Sequence, residues 1–409
     1  MAEFVRTDPP YRRRAEAIRQ TLAELGVGAL LVTHAPNLRY LCGFDGSLGA
    51  LVLTPDECRL IVDGRYITSA RDRVTASPEL SHVQVQLAPR SLEEAIAAAL
   101  PASEWRVQSS QSRTPSPEPR VPAEAAIGVE AASMTLERFA RLQDLSGGRF
   151  VPTERVVERA RLVKDDVELG ILRTAARMLS VAAREALAAV RPGRQELEVA
   201  ADVELALRRA GFAKPAFETI AASGPNSALP HARPGKRVLA DGDGVVLDFG
   251  GVYDGYCVDL TRTVQLGPAS ASFSRIFEAV KAAHAAAIAA VRPGVFASTV
   301  DRAARDVLED RGLAEAFVHG TGHGLGLEVH EEPRVTRAGT GRDEELRPGM
   351  VFTVEPGAYL AGVGGVRIED DVLVTEAGCE VLTAVPIDLG SYGAAAGTHS
   401  SRRPDPAGE

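Results

Sequence analysis

The stretch GVVLDFGGVYDGYCVDLTRTV, residues 244–264, decides how this chain is read. Apolar-rich flanks surround a glycine-rich centre, so it reads as two strands joined by a turn. Asp248 and Asp259 lie equally far from its midpoint, between Tyr253 and Asp254. Cross-strand partners on one face of a hairpin carry Cβ atoms about 5 Å apart. Two carboxylates held there repel one another unless a cation sits between them. A bulge at Gly250–Gly251 would shift this register.

A second hairpin repeats the arrangement. In GMVFTVEPGAYLAGVGGVRIEDDVLVT, residues 349–375, two apolar strand patterns flank a Pro/Gly-rich loop, with Glu355 and Glu369 symmetric about Gly362. Side chains alternate along a strand, so Thr261, Thr353 and Arg367, each two residues from an acid, project the same way as the carboxylates and can support them. Between the hairpins lies HGTGHGLGLEVHEEPR, residues 319–334. His319 and His323 have the i, i+4 spacing of a helical zinc motif, but Gly320, Gly322, Gly324 and Gly326 argue against a helix. An HExxH reading fails because Arg334 stands where the second histidine belongs. A glycine-rich extended segment that brings imidazoles close to a substrate fits better.

Asp248, Asp259, His323, Glu355 and Glu369 together suit a pair of hard-to-borderline divalent cations, manganese first, with cobalt and zinc as alternatives. A single ion cannot use so many anionic oxygens. Taken singly, each acid reads as a solvated strand residue, and the histidine cluster reads equally well as an ordinary hydrogen-bonded turn. Five suitable residues on two symmetric hairpins and one loop point instead to a two-metal hydrolase.

With DFGGVYDGYCVDLTRT, HGTGHGLGLEVHEEPR, TVEPGAY and RIEDD in this order and spacing, residues from about 155 to 388 resemble the pita-bread metallopeptidases, the family of methionine aminopeptidase, aminopeptidase P and prolidase. The resemblance implies that Asp248 binds one metal through both oxygens, that Asp259 and Glu369 bridge, and that His323 and Glu355 complete the other ion. It makes Glu355 the proton acceptor. NSALPHARPG, residues 226–235, places His231 where the proline-specific branch has a substrate-binding histidine, and His330 is expected with it to donate to the scissile carbonyl. By family position His319 is no ligand and shapes the pocket, counted with Arg367 among the residues near substrate. Arg334 matches a position where some prolidases hold a dipeptide carboxylate, for which an arginine fork is well suited. The expected activity is dinuclear metal-dependent hydrolysis of Xaa-Pro dipeptides, with aminopeptidase P action on longer Xaa-Pro peptides as the alternative. A creatinase-like hydrolase of a small C–N bond and a non-catalytic binding protein are disfavoured, because both should have lost ligand residues. The resemblance also implies a homodimer.

An internal repeat supports a duplicated fold. ALAAVRPG ending at Gly193 recurs as AIAAVRPG ending at Gly294, and RAG ending at Gly211 answers DRG ending at Gly312, both pairs 101 positions apart. Each copy reads as amphipathic helix, RPG stop, second helix, then strands carrying acids; Ile171, Leu172, Ala175, Met178, Leu179 and Ala182 recur at helical spacing. The expectation is an α+β catalytic domain over 151–389 with its site between duplicated halves.

Residues 1–150 read as a smaller α/β domain, with a helix near 13–25, strands in GALLVT, GALVLT and RLIV, and helices after Asp63 and near 91–100. Its arrangement resembles the creatinase/prolidase N-terminal domain. The Pro/Ser-rich stretch 109–124 reads as a surface loop and the tail 390–409 as disordered. With 409 residues, 45% of them hydrophobic, the chain can bury two cores, and a net charge of −9 argues against nucleic acid as a partner. There is no apolar signal core or membrane-length span, and Cys42, Cys58, Cys257 and Cys379 show no paired spacing. The expectation is a cytoplasmic enzyme acting on small peptides with proline in second place.

Overall fold

The computed structural model describes residues 8–100 and 126–389. The segment 109–124 and the tail from 390 therefore lie outside the described residues. The chain divides into two compact units after Arg161, later than the expected boundary at 150. The reason is packing: Phe150 is buried in the core of the first unit, and Arg161 donates to Asn37 Oδ1 at 2.8 Å.

The first unit comprises α1 (Tyr11–Leu25), β1 (Ala29–Val32), α2 (Ala35–Cys42), β2 (Gly49–Leu53), β3 (Cys58–Val62), α3 (Ile67–Ala76), β4 (Val83–Leu87), α4 (Leu92–Ala99), β5 (Ala126–Glu130), α5 (Leu136–Ser146), β6 (Arg149–Thr153) and α6 (Val156–Arg161). Its six strands form one mixed sheet in the order β4-β3-β2-β1-β5-β6. The helices and strands expected from sequence are α1, β1, β2, β3, α3 and α4. α2, opened by Pro36 and closed by Gly43 in the left-handed conformation, lies outside the stretches read from sequence, and its start is also held from a distance. The Glu130 carboxylate accepts from the backbone N–H groups of Thr33 and His34 at 2.7 and 2.8 Å, placing negative charge at a helix N-terminus.

The second unit runs α7 (Asp166–Ala188), α8 (Glu196–Ala210), β7 (Lys214–Pro215), β8 (Ile220–Ser223), β9 (Gly244–Tyr253), β10 (Tyr256–Gln265), α9 (Ala271–Ala290), α10 (Ala297–Asp310), β11 (Gly322–Gly324), β12 (Glu331–Val335), β13 (Val351–Val354), β14 (Gly357–Leu360), β15 (Gly364–Arg367), β16 (Asp370–Thr375) and β17 (Gly378–Val381). The repeat is visible in the backbone. Gly193 and Gly294 have φ of 88° and 83°, and Gly211 and Gly312 have 105° and 70°, so each RPG stop and each second-helix end uses the left-handed conformation that glycine adopts without strain. In each half the helix pair packs on its own sheet around its own apolar core, α7 and α8 with β9 and β10 in one, α9 and α10 with β13 and β16 in the other. No helix among the described residues is long and apolar enough to cross a membrane.

Both acid-bearing hairpins form, one with a shifted register. In β9–β10, Asp248 pairs with Thr261 and Gly250 with Asp259, instead of Asp248 with Asp259. The cause is the turn: Tyr253 pairs with Tyr256, leaving Asp254-Gly255 as a two-residue loop with φ of 46° and 80°, the positive-φ pair that Asp-Gly supplies in a type I′ hairpin. The shift is by two residues, so both aspartates still share a face. In the other hairpin the register is centred on Gly362 as expected. Val354 pairs with Asp370 and Gly357 with Arg367, and Glu355 and Glu369 fall in the break between these paired segments.

Gly250 sits where a side chain has no room. An added Cβ would lie 2.2 Å from the Val258 carbonyl oxygen. Gly250→Ala is therefore expected to destabilise the second unit by about 1–3 kcal/mol, the usual cost of overpacking, read as a lower urea midpoint; an unchanged midpoint would show that the hairpin relaxes freely.

Candidate metal centre

Two sheets supply the site. β9 and β10 contribute Asp248 and Asp259; His323 lies on β11, and Glu355 and Glu369 flank the β13–β16 pairing. Hydrogen bonds from β10 to the second half close the seam beside them. The N–H of Glu369 donates to the Thr261 carbonyl at 3.1 Å, and the buried Arg262 guanidinium donates to the Glu369 carbonyl at 2.6 Å and to Asp370 Oδ1 at 2.7 Å.

The expected ligands converge. Single donor atoms of Asp259, His323 and Glu369, all buried, lie within 4.8 Å of one another. His323 Nε2 stands 3.6 Å from Glu355 Oε1 and 4.0 Å from Asp259 Oδ2. Its Nδ1 faces the Gly324 carbonyl at 3.2 Å; with the proton there, Nε2 presents a lone pair to the carboxylates. Asp248, on the neighbouring strand, is close enough for its charge to act on Asp259 and Glu369.

This donor set fits divalent cations. Asp248 Oδ1 and Asp259 Oδ1 are buried without a hydrogen-bond partner among the described residues, which is costly unless a cation takes the lone pairs. Burial pushes Glu355 up to about 8, with Asp248 adding to the effect and Arg367 and Thr353 opposing it. Burial also holds Asp259 and Glu369 well above the usual carboxylate range, and each is pushed further by its acidic neighbours. His323 is held down to about 3 by burial and then by His330. A neutral imidazole and crowded carboxylates short of positive charge describe a cation-binding pocket.

The supporting residues expected from strand alternation are in place. Thr261 Oγ1 donates to Glu369 Oε2 at 2.6 Å, and Thr353 Oγ1 accepts from the His323 N–H at 3.1 Å. Arg367 is buried, and protein acceptors take up all three of its guanidinium nitrogens. It donates to Thr261 Oγ1 at 3.2 Å, the Pro230 carbonyl at 3.1 Å, Tyr359 OH at 2.8 Å and Asp248 Oδ2. Arg367 thus braces the site from behind instead of standing free for substrate. His319 is engaged likewise: Nδ1 lies 2.7 Å from the Gly320 carbonyl and Nε2 2.9 Å from Tyr359 OH. Burial, then Arg367, lowers it to about 4, so the neutral ring donates from Nδ1 and accepts the tyrosine hydroxyl at Nε2.

Sequence reasoning missed Tyr359, which links His319 to Arg367. Counting onward by twos from Glu355 reaches Gly357 and then Tyr359, so strand alternation held the signal. It also missed Asp371, fully buried, whose Oδ2 accepts from the Asp259 N–H at 3.1 Å.

The remaining expected residues, His330, His231 and Arg334, are exposed. His330 is exposed, its ring centroid 4.2 Å from that of His323. His231 is exposed and close enough that its charge would oppose protonation of both His319 and His330. Arg334, also exposed, is the register partner of His323 across β11–β12. Its charge likewise disfavours protonation of His323 and His330, and among the described residues its guanidinium has no carboxylate partner.

A duplicated α+β unit that holds crowded acids and one histidine across its seam defines a hydrolytic metal-centre scaffold. Comparison agrees: the model for metallopeptidase family M24 matches residues 170–376, and that for the creatinase/prolidase N-terminal domain matches residues 14–163. The chain belongs to metallopeptidase family M24 and is an enzyme of that class, with a creatinase-type N-terminal domain ahead of a pita-bread catalytic domain. It is 35% identical over 379 residues to the uncharacterized peptidase YqhT of Bacillus subtilis, covering 92% of this chain and 99% of that one. Among solved structures it resembles the Xaa-Pro dipeptidase from Bacillus anthracis, with a TM-score of 0.83, 32% identity and coverage of 93% and 99%. It also resembles the X-Pro aminopeptidase from Thermotoga maritima, with a TM-score of 0.77, 30% identity and coverage of 90% and 99%.

The shifted groups make stability without cations depend on pH. Histidines held low, with His323 near 3 and His319 near 4, affect stability only below their unfolded value of 6.5. From there to about 8, Glu355 keeps a proton that the unfolded chain has released, and burial raises Asp259 and Glu369 in the same direction. The folded state then binds more protons, so stability falls as pH rises. Melting temperatures of chelated protein are expected to drop across this window. A divalent cation at 100 times its dissociation constant should add about 2.7 kcal/mol and flatten the slope; a flat profile in the chelated protein would refute the crowding.

Proposed function

We propose that this metallopeptidase is an Xaa-Pro dipeptidase. The observation carrying this reading is Arg334, an exposed cation in register with His323 and without a carboxylate partner among the described residues, where it can meet the free carboxylate of a two-residue substrate. The likeness to the Bacillus anthracis Xaa-Pro dipeptidase supports it, and the likeness to an X-Pro aminopeptidase keeps release of the first residue from longer peptides as the second reading.

Asp248, Asp259, His323, Glu355 and Glu369 would hold two divalent cations. When bound, such a pair lowers the pKa of water between the carboxylates and polarises the scissile carbonyl. Glu355 takes the proton of the attacking water and returns it to the proline nitrogen as that amine departs. His231 and His330 donate hydrogen bonds to the carbonyl oxygen as negative charge develops on it. Arg334 anchors the substrate carboxylate, while Arg367, Tyr359 and His319 keep Asp248 and the Pro230 segment in place. The oxygen-rich donor set favours manganese, with cobalt or zinc as substitutes. Family resemblance supports a homodimer. Four free cysteines, three of them buried, are compatible with the reducing cytoplasm.

Glu355→Gln is expected to abolish turnover of Ala-Pro in a folded protein. His231→Ala should keep the metal and lose on the order of 3 kcal/mol in kcat/KM, the worth of one transition-state donor. Steady-state kinetics with elemental analysis check both; an emptied metal site in His231→Ala would reassign that residue.

Arg334→Ala should weaken hydrolysis of Ala-Pro by roughly 2–5 kcal/mol in kcat/KM while sparing an Xaa-Pro peptide blocked at its C-terminus. Equal losses on both substrates would make Arg334 structural, and a wild type that prefers tripeptides would favour the aminopeptidase reading.

A further inference from the structure

His231 carries no hydrogen bond of its own among the described residues, so its imidazole stands where its backbone puts it. That backbone is a loop that leaves β8 at Ser223, makes a 3-10 turn over Gly224–Ala228 and runs to Gly235, and its two ends are held by one carboxylate. Glu196, the first residue of α8, is fully buried. Its Oε1 accepts from the Ser223 N–H at 2.8 Å and the Ser223 hydroxyl at 2.7 Å, and its Oε2 accepts from the Gly235 N–H at 3.1 Å. Asn226 Nδ2 donates to both oxygens at 3.0 and 3.1 Å. The middle of the loop is fixed at the metal centre, through Pro230 to Arg367 and through Ser227 Oγ, which accepts from the Gly365 N–H at 2.9 Å.

We infer that Glu196 is the positioning residue for His231: it fixes both stems of the loop, and through them sets where the imidazole meets the substrate carbonyl. A buried carboxylate needs several donors to offset its lost hydration, and all the donors recorded for Glu196 come from this one loop. The second half has a counterpart. Asp301 on α10, also fully buried, accepts from the N–H and the hydroxyl of Thr321 at 3.1 and 2.9 Å, and the Thr321 carbonyl accepts from the Glu355 N–H at 2.7 Å. In both copies a buried acid on the second helix grips a loop of the catalytic centre.

This inference rests on the role proposed for His231, and a double-mutant cycle with two readouts separates the two. Glu196→Gln keeps the shape and exchanges one acceptor for a donor. It should lower kcat/KM on Ala-Pro by about tenfold alone, but by less than about twofold in a His231→Ala background, because coupled residues are not additive. Metal content should stay at the wild-type level. Hydrogen exchange should rise across residues 223–235 and remain unchanged in β9 and β10. Asn226→Ala, which removes two of the five bonds, should show the same coupling in smaller degree and serves if Glu196→Gln fails to fold. Equal losses in both backgrounds, or unchanged loop exchange in a folded Glu196→Gln, would overturn the inference. Increased loop exchange together with a His231→Ala variant of undiminished rate would uphold Glu196 as the holder of the loop and defeat the role of His231.

Discussion

Asp248, Asp259, Glu355 and Glu369 converge in a pocket where three donor atoms already lie within 4.8 Å of one another, and repulsion among them governs the catalytic unit. In bulk water such charges would be screened; in a buried site they must be protonated, paired or bridged by a cation. The fold neutralises only part of the charge. Arg367 pairs with Asp248, and Thr261 donates to Glu369. The oxygens left over, on Asp248 and Asp259, are buried without hydrogen-bond partners among the described residues, and His323 adds a neutral nitrogen. Hydrogen bonds stop short of satisfying this cluster, and the shortfall is what gives it affinity for cations.

Much of this was legible in the sequence because hairpins impose simple arithmetic. Symmetry about Gly362 placed Glu355 opposite Glu369, and alternation placed Thr261, Thr353 and Arg367 behind the ligands. The β9–β10 register differs by two from one centred between the acids because the Asp-Gly turn at 254–255 is the stronger determinant. The domain boundary moved from 150 to 161 because β6 and α6 carry no local mark of the core they join. Long-range polar contacts were the least legible: neither Glu196 at the start of α8 nor Glu130 at the end of β5 has a spacing that reveals its partners, since those partners become neighbours only on folding.

The duplicated halves share a plan and divide the chemistry. Each supplies a helix pair, a glycine-ended second helix and an acid-bearing hairpin with its own apolar core. The first copy contributes two aspartates and the loop of His231; the second contributes His323, two glutamates and the loop of His319. Within the second copy, glycine lets neighbouring strands approach closely. An added Cβ on Gly322 would lie 1.8 Å from the Thr353 carbonyl oxygen, so the strand bearing His323 lies against its neighbour with no room for a side chain.

The seam through the metal centre has a further consequence for how such a site can change over time. No ligand set is complete within either copy, so no single substitution can tune one half independently of the other. Tilting β9 moves Asp248 against Glu355, and shortening the loop before β11 moves His323 against Asp259. Drift in one copy is tolerable only when the other compensates. His330 and Arg334 lie beyond that set, on the segment that follows β11, whereas the loop of His231 is tied into it through Pro230 and Ser227. The architecture thus makes the acid cluster a shared property of both copies, so that change in one copy is felt at the centre as a whole.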